Sequence, residues 1–211
     1  MLTRHPAPRA LMIEALRLVQ VQGWPVVRGT YLVAGACSCL DPRCEAPGLH
    51  PASADWAPEV TGQRVRIGSW WTEHPRASVV LPTGTHLDVL SLPSAAGRAV
   101  LAALERYPEH LGPVAATADG RALFFVQPGA RCSAASVWDK YEADRDQGLD
   151  WQLRLHGRGD YVVAPPSGLG GAHSVSWLVS PYSRDAGVRP LPSAATVLPH
   201  ISAACRSDAA A

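Results

Sequence analysis

SVVLPTGTHLDVLSLPSAAGRAVLAAL, Ser78 to Leu104, is the stretch whose reading decides the fold. Ser78 to Leu81 is a short aliphatic, β-prone run, and Pro82-Thr83-Gly84 has the composition of a turn. Asp88 to Leu92 (DVLSL) is a second such run. Pro93-Ser94 then opens a helix through Gly97, Val100, Leu101 and Leu104. Strand, turn, strand and helix follow one another within one segment, and Asp88 to Leu104 reads as a strand-to-helix unit.

Upstream, Leu11, Met12, Ala15, Leu16 and Val19 recur at helical spacing, and Gly23-Trp24-Pro25 closes that helix. Pro25 to Val27 and Thr30 to Val33 are short β-prone runs. The Pro/Gly-rich segment Cys37 to Pro51 reads as an inserted loop without regular structure, and Arg64 to Glu73 as a helix that stops before Pro75. Downstream, Pro113 to Ala116 and Ala122 to Val126 flank Ala118-Asp119-Gly120 as a hairpin. Ser136 to Gln147 is a charged, solvated helix. Trp151 to Leu155, Tyr161 to Ala164 and Ser174 to Val179 alternate as strands. The organisation expected is an N-terminal tail over residues 1–9, one compact domain over 10–180 and a mobile Pro/Ala-rich tail over 181–211.

With 211 residues, 47% of them hydrophobic and 18% charged, the chain is neither disordered nor a polytopic membrane protein. A formal charge of +1 gives no overall field that would gather nucleic acid, so such a partner needs a local basic groove. Lys140 is the single lysine, a bias that fits a GC-rich bacterial coding sequence. The N-terminal segment makes a poor signal peptide and no apolar run is long enough to span a bilayer, so a cytoplasmic protein without membrane contact is expected.

Cys37, Cys39, Cys44 and His50 put three thiolates and one imidazole within fourteen residues, on a loop that Pro42, Pro47 and Gly48 let fold back on itself. Such a set suits a closed structural zinc site; free thiols in a Gly/Pro loop are the alternative. Cys132 and Cys205 stand apart as a small buried residue or a tail thiol. Arg154, His156 and Arg158 alternate and would project from one strand face, which suits phosphate contacts or a plain solvated face. No phosphate-loop or G-x-S-x-G signature occurs, and Ser167 lies in Pro-Pro-Ser-Gly. Asp88 is the one acid on the strand 88–92, while Asp150 and Asp160 sit near later strands and read equally as turn acids.

In order along the chain, GWPV (Gly23 to Val26), PGLHP (Pro47 to Pro51), IGSWW (Ile67 to Trp71), HPRASVVLPTG (His74 to Gly84) and GDYVVAPPS (Gly159 to Ser167) resemble the N-terminal domain of bifunctional DNA primase/polymerases. That domain belongs to the archaeo-eukaryotic primase superfamily, and the likeness is to short, stand-alone actinobacterial versions over roughly residues 10–180. The resemblance implies an α+β fold with an RRM-like antiparallel or mixed central sheet flanked by helices. In active relatives it implies template-directed polymerisation with Mg or Mn.

The same resemblance marks departures. The relatives' Asp-x-Asp pair would fall on Ser91 and Pro93, their triphosphate-contacting histidine near Leu123, and their third acid near Gln152. Cys37, Cys39, Cys44 and His50 match the relatives' zinc-type insert (37–51), with Leu49 where they often carry lysine. The expectation is therefore a degenerate, catalytically silent domain that binds single-stranded or primer-template nucleic acid, or nucleotide, weakly through Arg154, His156 and Arg158. The alternatives are an active enzyme using Asp88, Asp150 and Asp160 with Mg or Mn, and a protein-interaction scaffold.

Overall fold

The structure is a computed structural model and describes residues 8–146, 152–168, 174–183 and 187–208. Asp150 and Trp151 lie outside the described residues. Where one compact domain was expected, the chain divides into two units. One comprises residues 1–82, 117–119 and 159–177; the other comprises 83–116, 120–158 and 178–211.

In the first unit, α1 (Pro8–Arg17) runs into a wider turn over Leu18–Gln22 and closes at Gly23, whose N–H returns to the Leu18 carbonyl. Leu11, Ala15 and Leu18 supply its buried stripe. β1 (Val27–Arg28) pairs with β4 (Val79–Pro82), which pairs with β9 (Tyr161–Ala164), both antiparallel. Ser167 is fully buried, and its hydroxyl accepts the Val79 N–H at 2.8 Å, so this serine closes a strand end. β2 (Leu32–Val33), within the run Thr30 to Val33 read as β-prone, pairs with β3 (Ala36–Cys37) in a small hairpin that ends at the first residue of the irregular segment 37–51. In α2 (Arg64–Glu73), Ile67 and Trp71 face inward and the Trp71 indole N–H donates to the Ala77 carbonyl at 2.8 Å.

The second unit holds β5 (Asp88–Pro93), β6 (Val114–Ala116), β7 (Arg121–Val126), β8 (Arg154–His156) and, from Leu178 on, β10 (Ser176–Val179), strands of a five-stranded sheet in the order β10-β6-β7-β5-β8. The pairings of β5 with β7, β5 with β8 and β6 with β7 are antiparallel. Leu90 opposes Phe124 and Leu92 opposes Ala122, so these side chains share one face. That face packs on α3 (Ser94–Leu104), on Ala130 of α4 (Ala130–Ser133), on Trp138 and Tyr141 of α5 (Ala135–Asp146), and on α6 (Ala194–Asp208). The fold is α+β, with antiparallel sheets flanked by helices.

The C-terminal segment corrects the expectation of a mobile tail. Ala194, Val197, Leu198, Ile201 and Cys205 of α6 are buried in the core of this unit. Their spacing is helical, but Pro199 in the middle and the Pro/Ala composition around it disguise the stripe. Cys205 is thus a core residue, whereas Cys132 is exposed. No helix among the described residues is long and apolar enough to cross a membrane.

Two glycines set close approaches in this unit. A Cβ on Gly84, at φ +94°, would fall 2.2 Å from the Arg158 Cα, and the neighbouring Thr83 hydroxyl donates to the Gly157 carbonyl at 2.6 Å. The Pro82-Thr83-Gly84 turn therefore clamps the chain leaving β8. Gly97 lets α3 lie against β7, since a Cβ there would sit 2.3 Å from the Ala122 Cβ. Gly97→Ala should destabilise the protein by about 1–3 kcal/mol through overpacking. Gly68→Ala on α2, where a Cβ meets nothing within 4 Å, should instead stabilise it by about 0.5–1 kcal/mol. Denaturant midpoints of the two variants should move in opposite directions, and equal shifts would contradict the packing described.

Candidate metal centre and basic sheet face

The cysteine-histidine loop is framed by backbone pairing at its root. The Thr30 N–H donates to the His50 carbonyl at 2.8 Å, Gly29 bridges to Pro51, and the Ser78 hydroxyl donates to the Gly48 carbonyl at 2.6 Å. Cys37 ends β3, and Cys39 and Cys44 lie on the turns that follow. The loop folds back so that one donor atom from each of Cys37, Cys39, Cys44 and His50 lies within 4.8 Å of the others. Cys37 Sγ and Cys44 Sγ each stand 3.4 Å from His50 Nε2. A tetrahedron with bonds of about 2.0–2.3 Å has edges of about 3.5 Å, so these separations fit ligands of one ion. The opposite ring nitrogen, His50 Nδ1, is 2.8 Å from the Pro51 carbonyl; donating there leaves Nε2 as the lone-pair donor toward the sulfurs.

The electrostatics agree with a thiolate cluster. Burial pushes the Cys37 thiol up, but backbone N–H groups of Cys39 and Gly48 outweigh it and bring it down to about 6. The Gly48 N–H lies 3.3 Å from that sulfur. Cys44 is pushed up to about 11 by burial and by the neighbouring Cys39 and Cys37 sulfurs, against the pull of the Ala46 backbone. A divalent ion relieves that crowding of like charge. Trp56 and Tyr161 meet edge to face at 5.8 Å and, with Cys39, Cys44 and His50, line a groove of about 900 Å³ beside the loop.

On the five-stranded sheet, register decides what the other predicted positions can do. Val89, Ser91 and Pro93 share the face opposite Leu90 and Leu92, on which Val89 is itself fully buried; Ser91 opposes Leu123 on β7 and Arg154 on β8, and Val89 opposes His156. Ser91 is 1% and Leu123 4% exposed, while Arg154 is exposed and His156 half-buried. Arg158 does not continue the strand; it lies in the turn after β8.

Arg121, a residue the sequence reading passed over, opposes Pro93 on this same face. Its Nε donates to the Ser91 hydroxyl at 2.6 Å, and one terminal nitrogen donates to the Ser91 carbonyl at 2.8 Å and the Gln152 carbonyl at 2.7 Å. One guanidinium thus ties Ser91 to Gln152. Arg121 lies two residues before Leu123, on the same face of the same strand, and that alternation was the available signal.

Asp88 takes the opposite face. It stands on the side of Leu90 and Leu92, is 3% exposed, and its Oδ2 accepts the Ala130 N–H at 2.8 Å at the start of α4. Asp160 accepts the N–H of its neighbour Tyr161 at 2.7 Å in the first unit, and Asp150 lies outside the described residues. Among the described residues, the Cys37/Cys39/Cys44/His50 set is the one cluster of three or more potential ligands placed to hold a metal ion.

The pattern of the N-terminal domain of bifunctional DNA primase/polymerases matches residues 15–194. The chain belongs to this family. The match runs across both units and includes the cysteine-histidine loop and the whole five-stranded sheet. No curated protein and no solved structure matches the chain.

Cobalt(II) reports directly on the loop. Titration should produce sulfur-to-metal charge-transfer absorption at one ion per chain, and Cys44→Ser should weaken it strongly. Because each thiol must release its proton to bind, loading should fall as pH is lowered, steeply below about pH 6, where Cys37 also regains its proton. Loading that does not respond to pH would contradict thiolate ligation.

Proposed function

We propose that this primase/polymerase-family domain is a catalytically silent, regulatory module that binds nucleic acid or nucleotide, and that Cys37, Cys39, Cys44 and His50 hold a structural zinc ion. When bound, zinc supplies a cross-link for residues 37–51 and no reaction chemistry, since four protein ligands leave it no open position. The observation that carries the reading is the Arg121 guanidinium bonded to Ser91 and Gln152. Nucleotidyl transfer needs carboxylates that gather divalent ions around a triphosphate and the attacking hydroxyl. At these positions the chain offers a hydroxyl, a proline and an amide side chain, with a fixed positive charge bonded to two of those residues. A guanidinium attracts phosphate and opposes a metal ion.

Asp88 does not restore the missing set, because strand alternation commits it to the core side, where it receives the Ala130 N–H. The exposed Arg154, with half-buried His156 and the turn residue Arg158, supplies the positive charge through which the module meets phosphates. Such contacts carry no base information, so binding should be weak, salt-sensitive and indifferent to sequence.

Incubating the purified chain with template, primer, nucleotides and Mg or Mn should give no extension and no primer synthesis. Extension that disappears in Asp88→Ala would overturn the reading. In binding of a labelled single strand, Arg154, His156 and Arg158 together should contribute about −2 to the log-log salt slope, the value for three phosphate contacts, and Arg154→Ala should flatten it by about 0.7. No binding at low salt would remove the nucleic-acid part of the proposal.

A further inference from the structure

The first unit carries a strip of alternating cations and aromatic rings. Arg66 and Trp70 are one helical turn apart on α2, and His74 follows one turn later at its end. The Arg66 guanidinium lies 4.8 Å from the Trp70 ring centre. The Tyr31 ring is 5.9 Å from the His74 imidazole, with its hydroxyl 3.3 Å from His74 Nδ1, and the Arg76 guanidinium stands 5.6 Å from the Tyr31 ring centre. Trp70, His74 and Tyr31 are half-buried; Arg66 and Arg76 are exposed.

Two features say what this strip is complementary to. Among the described residues, no carboxylate forms an ion pair with Arg64, Arg66 or Arg76. The acid nearest them on the helix, Glu73, accepts the Ser69 hydroxyl instead. Arg64 and Arg66 also stand in the first turn of α2, which carries no acid, although a positive charge there works against the helix dipole. Uncompensated guanidiniums interleaved with half-exposed ring faces match a chain that is anionic along its backbone and presents stacking faces beside it. Single-stranded nucleic acid has that chemistry; a duplex hides its base faces and an acidic peptide lacks them.

We propose that Arg66, Trp70, His74, Tyr31 and Arg76 form a binding track for single-stranded nucleic acid, with the arginines on phosphates and the rings against bases. This rests on the reading above that the partner is nucleic acid, and adds a second surface to it. The metal loop sets one end of the track, because Tyr31 exchanges hydrogen bonds with Ser38 between the cysteines: its N–H to the Ser38 hydroxyl at 3.1 Å, and its carbonyl from the Ser38 N–H at 2.9 Å.

The test is anisotropy of the full chain with a labelled oligo-dT strand and with a duplex of equal length, across a salt series. Arg66→Ala with Arg76→Ala should weaken single-strand binding about tenfold and flatten the salt slope by about 1.4, two contacts at 0.7 each. Trp70→Ala should weaken binding by a similar factor with the slope unchanged, and Trp70→Phe should restore it. The arginines are exposed, so their variants remain decisive if Trp70→Ala fails to fold. Strip variants that bind like the parent while Arg154→Ala loses affinity would overturn the track and leave the sheet face standing. Equal affinity for strand and duplex would overturn the stacking role. No binding at low salt would overturn both surfaces and point to a protein partner for the strip.

Discussion

A β-strand assigns each side chain to one of two faces, and on β5 that alternation separates the residues that fold the unit from those that would act. Leu90 and Leu92 enter the core with Phe124 and Ala122, and Asp88 goes with them because its position has the same parity. Its carboxylate is then used as a buried acceptor for the Ala130 N–H. Ser91 and Pro93 are left for the opposite face beside Leu123, Arg121 and Arg154. A one-residue shift in register would exchange these sets and put Leu90 and Leu92 outside the core, so packing holds Asp88 where it is.

Most elements were legible because their signals are local. Periodicity over two or three turns was enough for α2 and α3, and β-prone runs bounded by turn residues for the hairpin of β6 and β7. The donor set of the metal loop was legible because four potential ligands fall within fourteen residues, although the bonds that frame it, Thr30 to His50 and Ser78 to Gly48, reach across 20 and 30 residues.

The parts that escaped are those set by distant chain segments. Arg121 gains its meaning only when β7 lies beside β5, bringing it against Pro93 and within reach of the Ser91 and Gln152 carbonyls, 30 and 31 residues away in sequence. Its own segment, TADGRALFFV, shows only an arginine after a turn. The two-unit division depends on the chain re-entering the first unit at Gly159, which no composition change announces. α6 escaped because Pro199 interrupts the run and its alanines, though good helix formers, blur the contrast between the buried stripe and the rest of the helix. The expectation that Arg158 extends the Arg154/His156 face failed because Gly157 and Gly159 turn the chain, and Gly84 packs against the turn they make.

These constraints bear unequally on the two capacities a primase/polymerase domain combines. Catalysis of nucleotidyl transfer requires several carboxylates at one point, where they gather divalent ions around the triphosphate. Binding a polyanion requires only positive charge and exposed rings distributed over a surface, and it tolerates replacement of acids by neutral residues because each such change removes repulsion toward phosphate. The exposed Arg154 beside Ser91 and the arginine-aromatic strip of α2 place positive charge and rings on the surface. The core face of β5 is fixed by the packing of Leu90 and Leu92 with Phe124 and Ala122, and the loop is framed by the backbone pairing of Thr30 with His50, so neither depends on which side chains stand on the other face of the strand.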